Sequence, residues 1–328
     1  APSGEAMSGA GPVGVVLMSM GEPESPEQVR PYLRQLLSDR DLVRFPVPAL
    51  QGLFAWAVSV CRCGRFRRHL AEMGGGSPLV RLTYQQKAAL REAMAGSGDR
   101  RFYVAMRYGE PSSRDAARRL RADGIGRVVA LPLYPQYCAA TTGSSLKALK
   151  AALHDEGFDV PVCEVRSWPD HPGYIAAMAE GVFRTLSRAP GGKAHLLFCA
   201  HGVPVDFIKE GDPYQKEVEA TAAALRKVFP DLPWSLAYQS RTGRGEWLGP
   251  DAADEVRRLA RSGIAAVMAV PLSFVSDNSE TLYDLDIALR RTAVEAGIKS
   301  FLRVPAPNES PAFIAALKDM VLSCEAEA

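Results

Sequence analysis

Residues 118–133 read RRLRADGIGRVVALPL, and residues 257–272 read RRLARSGIAAVMAVPL. The two stretches align without a gap at an offset of 139, and nine of the 16 positions are identical. Each opens on an arginine-rich amphipathic stretch, turns at Gly124 or Gly263, and enters a Val/Ala/Leu run ending at Pro-Leu. Helix, tight turn and apolar strand in that order make one step of an α/β unit. One copy in each half of the chain predicts two similar α/β domains.

The rest of the chain follows the same rhythm. Short apolar runs at 13–18, 102–107, 128–133, 160–165, 194–199, 234–238, 265–272 and 300–304 read as strands. Amphipathic stretches at 83–95, 114–122, 172–187, 214–228, 251–261, 280–296 and 311–321 read as helices. Continuous apolar strands separated by helices indicate parallel sheets covered on both faces. Eight strands suit two Rossmann-like sheets of four, with an interdomain cleft. The expected division is 1–160 and 161–328, with a cleft lip at about 45–80 and the last helix returning to the first domain. At 328 residues, each half has the roughly 150 residues of an ordinary domain.

Composition narrows the function. With 39 Lys+Arg against 37 Asp+Glu, the net charge is +2, which removes the electrostatic case for nucleic-acid binding. No apolar run approaches the roughly 18 residues needed to span a bilayer. The small, polar stretch 1–12 carries neither a secretory nor a transit-peptide pattern. Six cysteines are scattered without a C-x-x-C pair, which indicates mostly buried thiols in a reducing cytoplasm and neither a zinc ribbon nor a disulfide scaffold.

In open parallel sheets, ligands bind beyond the carboxyl ends of the strands. Both repeat copies end in Pro-Leu and enter polar, aromatic segments there: Tyr134 to Tyr137 with 141–145 (TTGSS), and Phe274 to Asp277 with Asn278 to Glu280. Of the five histidines, only His201 sits at a strand's carboxyl end beside a glycine. An imidazole there serves either as a hydrogen-bonded turn residue or as a general base. Ser276 or Asp277 can cap the next helix, with an acid three residues on. On an α-helix, Asp277, Glu280 and Asp284 share one face and could pass a divalent cation along hard oxygen ligands.

Two further segments read ambiguously. Gly74-Gly75-Gly76-Ser77-Pro78 lacks the Gly-Lys-Ser/Thr ending of a phosphate loop, so it reads as close backbone packing or a flexible lip. The apolar stretch 49–61 (ALQGLFAWAVSVC) precedes Arg62, Arg65, Arg67 and Arg68. It is either a buried amphipathic helix or a surface segment that touches a membrane, its arginines at the headgroups or on substrate carboxylates.

An ordered set of motifs then resembles the ferrochelatases over nearly the whole chain: 18–24 (MSMGEPE), 74–79 (GGGSPL), 106–108 (MRY), 131–137 (LPLYPQY) and 141–145 (TTGSS). It continues with 200–202 (AHG), 211–214 (GDPY), 238–241 (YQSR), Trp247-Leu248, Ser276-Asp277 and 280–282 (ETL). The resemblance implies a lyase of haem biosynthesis that inserts Fe²⁺, its substrate, into protoporphyrin IX and releases two protons. It implies that His201 accepts a pyrrole proton with Glu280 beside it, and that His201, Glu280, Asp277 and Asp284 handle the metal. Met20, Ser77, Arg107, Tyr108, Tyr134 and Trp247 would line the macrocycle, and Arg62 and Arg65 would lie near its propionates. The Tyr134–Ser145 signature resembles the protoporphyrin branch rather than the coproporphyrin branch. A cytoplasmic enzyme touching the inner membrane through its lip follows. A carrier of porphyrin or metal on the same scaffold is the non-catalytic alternative.

Three positions depart from the family pattern. Asn278 stands where many relatives have histidine, and Leu70 occupies a lip position that is often tyrosine. Ala139 and the single C-terminal Cys324 leave no ligand set for the [2Fe–2S] cluster that some relatives carry.

Overall fold

The computed structural model describes residues 11–43, 45–241 and 245–327; almost all of the polar N-terminal stretch lies outside them. Strands β1 (Val13–Ser19), β2 (Arg100–Met106), β3 (Arg127–Pro132) and β4 (Val162–Glu164) form one parallel sheet in the order β2-β1-β3-β4. Strands β5 (His195–His201), β6 (Trp234–Gln239), β7 (Ala266–Pro271) and β8 (Ser300–Arg303) form a second in the order β6-β5-β7-β8. The second order is the first with each strand number raised by four. The helices are α1 (Val29–Ser38), α2 (Gln51–Glu72), α3 (Leu79–Ala93), α4 (Ser113–Ala122), α5 (Ser144–Asp155) and α6 (Pro172–Leu186). They continue with α7 (Val205–Lys209), α8 (Tyr214–Val228), α9 (Ala252–Arg261), α10 (Arg290–Glu295) and α11 (Pro311–Glu327).

The sequence repeat occupies equivalent places, α4–β3 and α9–β7. Even the caps correspond. Ser112 starts α4 with a capping box to Asp115, and Asp251, 139 positions later, starts α9 by accepting from the Ala253 and Asp254 N–H groups. The strands read as apolar runs because both faces are covered: Val15, Val16, Leu17, Leu197, Phe198 and Cys199 are all at 0% exposure.

One apolar core runs from β1 and β3 through α6 and α11 to β5 and β7, so these two helices sit between the sheets. The return of α11 to the first sheet is fastened by Arg100 paired with Glu325 and by Arg127 donating to the Glu325 carbonyl at 3.3 Å.

Several expectations change. The strand β4 pairs with β3, so the first sheet extends to Glu164 and the division at 160 falls too early. The expectation that most cysteines are buried free thiols fails for four of the six. Cys163 on β4 and Cys324 on α11 form a disulfide, their Cα atoms 6.0 Å apart, because α11 lies against that edge strand. Cys61 is exposed and Cys63 half-buried on α2. Cys138 and Cys199 are buried thiols, the former pushed up to about 12 by burial.

The predicted helix at 280–296 is a π-helix, Glu280–Leu289, followed by α10. A shorter π-helix, Ala139–Gly143, follows β3 at the matching place in the first half. Such i→i+5 turns cluster at functional sites.

Candidate active site

The site starts where β5 ends. His201 is the last residue of that strand, and the Tyr214 hydroxyl holds its carbonyl at 2.9 Å while also bonding the Ser273 hydroxyl at 2.8 Å. Gly202 follows because a Cβ there would lie 2.9 Å from the Gln239 carbonyl oxygen and 3.6 Å from the Trp247 ring. The 246–248 segment crosses this turn through Val205 N–H to Glu246 and Leu248 N–H to Val203, each 3.0 Å, and brings Trp247 beside it.

The His201 imidazole, 37% exposed, meets Glu280 through Nδ1 and Oε2 at 2.6 Å. Burial alone would lower the imidazole pKa, but the Glu280 charge and hydrogen bond, with Asp284 behind, hold it above the ordinary histidine value. Burial likewise opposes ionisation of Glu280, and the His201 charge outweighs it, leaving that carboxyl below its ordinary value. The pair therefore favours imidazolium–carboxylate.

Ser240 joins this pair to a second acid. Its hydroxyl lies 3.1 Å from Glu280 Oε2 and 2.6 Å from Asp284 Oδ2, and Gln239 Nε2 donates to the same Glu280 oxygen at 3.4 Å. Ser240 reaches both from the end of β6 with φ +64°, a left-handed conformation rare outside glycine. Burial first, then the neighbouring Glu280 charge, pushes Asp284 up to about 6; Arg65 on α2 is among the groups that pull it down. His201, Glu280, Ser240 and Asp284 thus form one hydrogen-bonded row.

Asp277 is not in that row, which corrects the expectation of three carboxylates on one face. It precedes the π-helix, and its Oδ1 accepts from Arg303 at 2.7 Å and from the Thr281 hydroxyl at 2.9 Å. Its Oδ2 accepts from Asn308 Nδ2 at 3.1 Å. The Arg303 and Asp277 side chains are 9% and 14% exposed, so this is a structural ion pair. The cap is Asn278, not Ser276 or Asp277: Asn278 Oδ1 accepts from the Glu280 and Thr281 N–H groups at 2.9 and 3.0 Å. That contact sets the backbone of Glu280. Among the described residues, no three His, Cys, Asp or Glu side chains converge as a ready-made metal site.

A second group comes from the first sheet. Arg107 donates to Asp39 and, through Nε, to the Ser144 hydroxyl at 2.6 Å; the Tyr108 hydroxyl donates to Asp39 Oδ2 at 2.7 Å. Asp39 stays below the ordinary carboxylate range despite burial, because Tyr108, a backbone N–H, Arg107 and Ser144 all favour its charge. Tyr108 is 1% exposed, so its ring is core between α1 and α2 and does not line an open surface, contrary to expectation. Leu70 belongs to the same cluster at 0% exposure, so its difference from tyrosine does not face a ligand. Met20 packs at the cluster's edge, its carbonyl accepting from Tyr108 N–H at 2.8 Å. Tyr134, half-buried beyond β3, places its hydroxyl 3.4 Å from that of Ser145.

The two groups share one neighbourhood. Burial chiefly, and then the charges of Glu22 and Glu280, oppose ionisation of Tyr32 on α1. Helix α2 reaches across as well: His69 stacks on Tyr283 of the π-helix with centroids 3.7 Å apart and planes at 11°. Arg62 and Arg65 are exposed on α2, and Arg65 is electrostatically linked to Asp284 in the row. Gln239, Ser240, Glu22 and Asp39 were not singled out from sequence, although the first two stand inside the 238–241 motif and Glu22 inside the 18–24 motif.

Two duplicated parallel sheets, with a histidine–carboxylate pair beyond the strand ends, define the chelatase fold. Over 96% of both chains this structure superposes on SirB from Bacillus subtilis, solved with Fe³⁺, at a TM-score of 0.57 and 11% identity. It superposes on CbiX, the terminal enzyme of sirohaem biosynthesis in denitrifying bacteria, at 0.50 with 13% identity over 94% of this chain and 98% of that one. In sequence, residues 12–324 match the Ferrochelatase family model. Ferrochelatases of Synechococcus sp. (strain RCC307) and Gloeobacter violaceus are 44% and 42% identical, each over 94% of this chain and over 81% and 97% of their own lengths. The chain belongs to the ferrochelatase family, the metal-inserting lyases of haem biosynthesis.

Proposed function

We propose that this chain inserts Fe²⁺ into protoporphyrin IX, with His201 taking the pyrrole protons and Glu280, Ser240 and Asp284 carrying them away. The carrying observation is the continuous row His201–Glu280–Ser240–Asp284. Metal insertion exchanges two N–H protons for one Fe²⁺, so the site must accept protons as the metal binds. In the neutral imidazole, with Nδ1–H donated to Glu280, the lone pair lies on Nε2, where it accepts the pyrrole proton and gives the imidazolium that the pair favours. The carboxylate stabilises the imidazolium that forms. Asp284, with a pKa of about 6, can hold a proton briefly and release it near neutral pH.

The macrocycle's nitrogen lone pairs lie in the ring plane, so a cleft that binds it domed or tilted would expose them to the metal. That distortion draws on binding energy from the rest of the ring. In this reading Trp247, Met20 and Tyr134 contact the ring, and Ser77, buried with its hydroxyl on Glu22, holds the lip beside it. Arg65 and Arg107 attract the ring's propionates. Arg62 belongs with them as an exposed cation one helical turn from Arg65.

The enzyme also touches a membrane surface from the cytoplasmic side. Val47, Leu50, Leu53, Trp56 and Val60 are 48%, 46%, 63%, 47% and 42% exposed, an apolar stripe along α2 and its approach. Arg62, Arg65 and Arg68 follow on the same helix, a pairing suited to an interfacial helix at anionic headgroups. Among the described residues, no helix is long and apolar enough to cross a bilayer.

The test is anaerobic metallation with Fe²⁺, followed by absorbance, with protoporphyrin IX and coproporphyrin III in parallel. Faster turnover of protoporphyrin supports the reading. Turnover of coproporphyrin alone would move the substrate to the other branch, and binding without turnover would make the chain a carrier.

A further inference from the structure

Three remote segments meet on one side chain, Glu22. Its Oε2 accepts from the backbone N–H of Ser279 at 2.9 Å and from the Ser77 hydroxyl, and its Oε1 accepts from the Ser279 hydroxyl at 2.5 Å. Ser77 and Ser279 are 55 and 257 residues from Glu22 in sequence. Glu22 stands on the loop that leaves β1, Ser77 in the glycine-rich turn between α2 and α3, and Ser279 immediately before Glu280.

The turn is built to lie against Glu22. Ser77 N–H donates to the Pro23 carbonyl at 2.9 Å, and a Cβ on Gly76 would collide with the Glu24 carbonyl. Gly74 and Gly75 take φ of +104° and +109°, which lets α2 end and the chain fold back within two residues. Gly76 is therefore close backbone packing, Gly74 and Gly75 supply the reversal, and Ser77 is the turn's polar contact to Glu22, which in turn bonds Ser279 of the second half.

On the other side, Ser279, Glu280 and Thr281 present three successive N–H groups at the start of the π-helix. Asn278 takes two and Glu22 takes the third. All three partners donate to this carboxyl and favour its ionised form, while burial opposes them and pushes its pKa up to about 7. Loss of Glu22 would free the lip while Asn278 continued to hold Glu280 in place.

We propose that Glu22 is a positioning residue for metal insertion: its carboxyl seats the Gly74–Ser77 lip on the start of the Glu280 helix and so sets the opening through which the porphyrin enters. This rests on the reading that His201 and Glu280 face the porphyrin. It requires the substrate-binding step, more than the chemical step, to depend on Glu22.

The test uses the full chain with Glu22→Ala, Glu22→Gln, Ser77→Ala and the Glu22→Ala/Ser77→Ala pair. Protoporphyrin IX binding is read by fluorescence quenching, and KM and kcat by anaerobic metallation. Glu22→Ala should raise Kd and KM by about tenfold with kcat within about twofold, the scale of losing hydrogen bonds to a charged group. Glu22→Gln should restore most of the affinity, since its amide oxygen can accept from Ser77 and from Ser279 N–H while its NH₂ donates to the Ser279 hydroxyl. The paired variant should be no weaker than Glu22→Ala alone. An unchanged Kd, or a kcat that falls only with the folded fraction, would overturn the proposal. Full turnover by His201→Ala would instead defeat the site reading and leave the Glu22 affinities to be judged separately.

Discussion

His201 Nδ1 and Glu280 Oε2 lie 2.6 Å apart, joining the end of β5 to the first residue of the π-helix that follows β7. Each partner shifts the other toward its charged form against the cost of burial. The imidazole is thereby a stronger proton acceptor than an ordinary histidine, and the carboxylate stays ionised to neutralise it.

Glu280→Gln removes the charge that raises the His201 pKa, so burial then lowers it. The acid limb of the kcat/KM profile, above the ordinary histidine value in the wild type, should move to lower pH in the variant. The plateau should fall by about 10²-fold. A limb that stays in place would assign it to another group.

Linkage gives the same pair opposite stability windows. The raised His201 pKa contributes stability that is fully present below its unfolded value and is lost as pH rises through the folded value. The lowered Glu280 pKa contributes stability present above its unfolded value and lost as pH falls through the folded value. Denaturant melts of the wild type and Glu280→Gln across pH should differ most between these limits and converge outside them.

Ser240→Ala breaks the link between Glu280 and Asp284. With the hydroxyl gone, Asp284 should titrate above its present value of about 6, because the bond favours the carboxylate. Proton export then slows: kcat should drop by about tenfold with KM little changed, as read in a solvent-isotope and pH series.

Asp277→Ala leaves the nearly buried Arg303 charge without its closest carboxylate. Unfolding should become easier by about 3 kcal/mol, measured by denaturant titration. A purely catalytic Asp277 would show normal stability and lost turnover.

Leu53→Glu and Trp56→Glu place charge in the apolar stripe of α2. Co-sedimentation with phosphatidylglycerol-containing vesicles should fall strongly, and binding should weaken with salt because the neighbouring arginines contribute. Equal vesicle binding by wild type and variants would remove the membrane contact.

The duplicated architecture was legible because burial on both sheet faces writes apolar strands into the sequence, and the α4–β3 and α9–β7 copies retain it. His201 was legible from its place at a strand end. The row it belongs to was not, since Ser240 reaches Glu280 and Asp284 only through a left-handed backbone at the end of β6. Asp277 was misread for a related reason: the face shared at spacings of three and seven holds on an α-helix, whereas the helix here is π and begins after Asp277. Tyr108 was misread because motif position says nothing of depth, and its ring is sealed between α1 and α2. The Cys163–Cys324 disulfide and the Glu22 contacts depend on distant segments meeting, which no local pattern records.

The most direct measurement compares His201→Ala with the wild type in anaerobic Fe²⁺ insertion into protoporphyrin IX, with porphyrin binding measured on the same samples by fluorescence quenching. The account predicts that the variant binds porphyrin with near wild-type affinity and forms no haem over the time in which the wild type completes many turnovers. Haem formation at the wild-type rate by His201→Ala would contradict it.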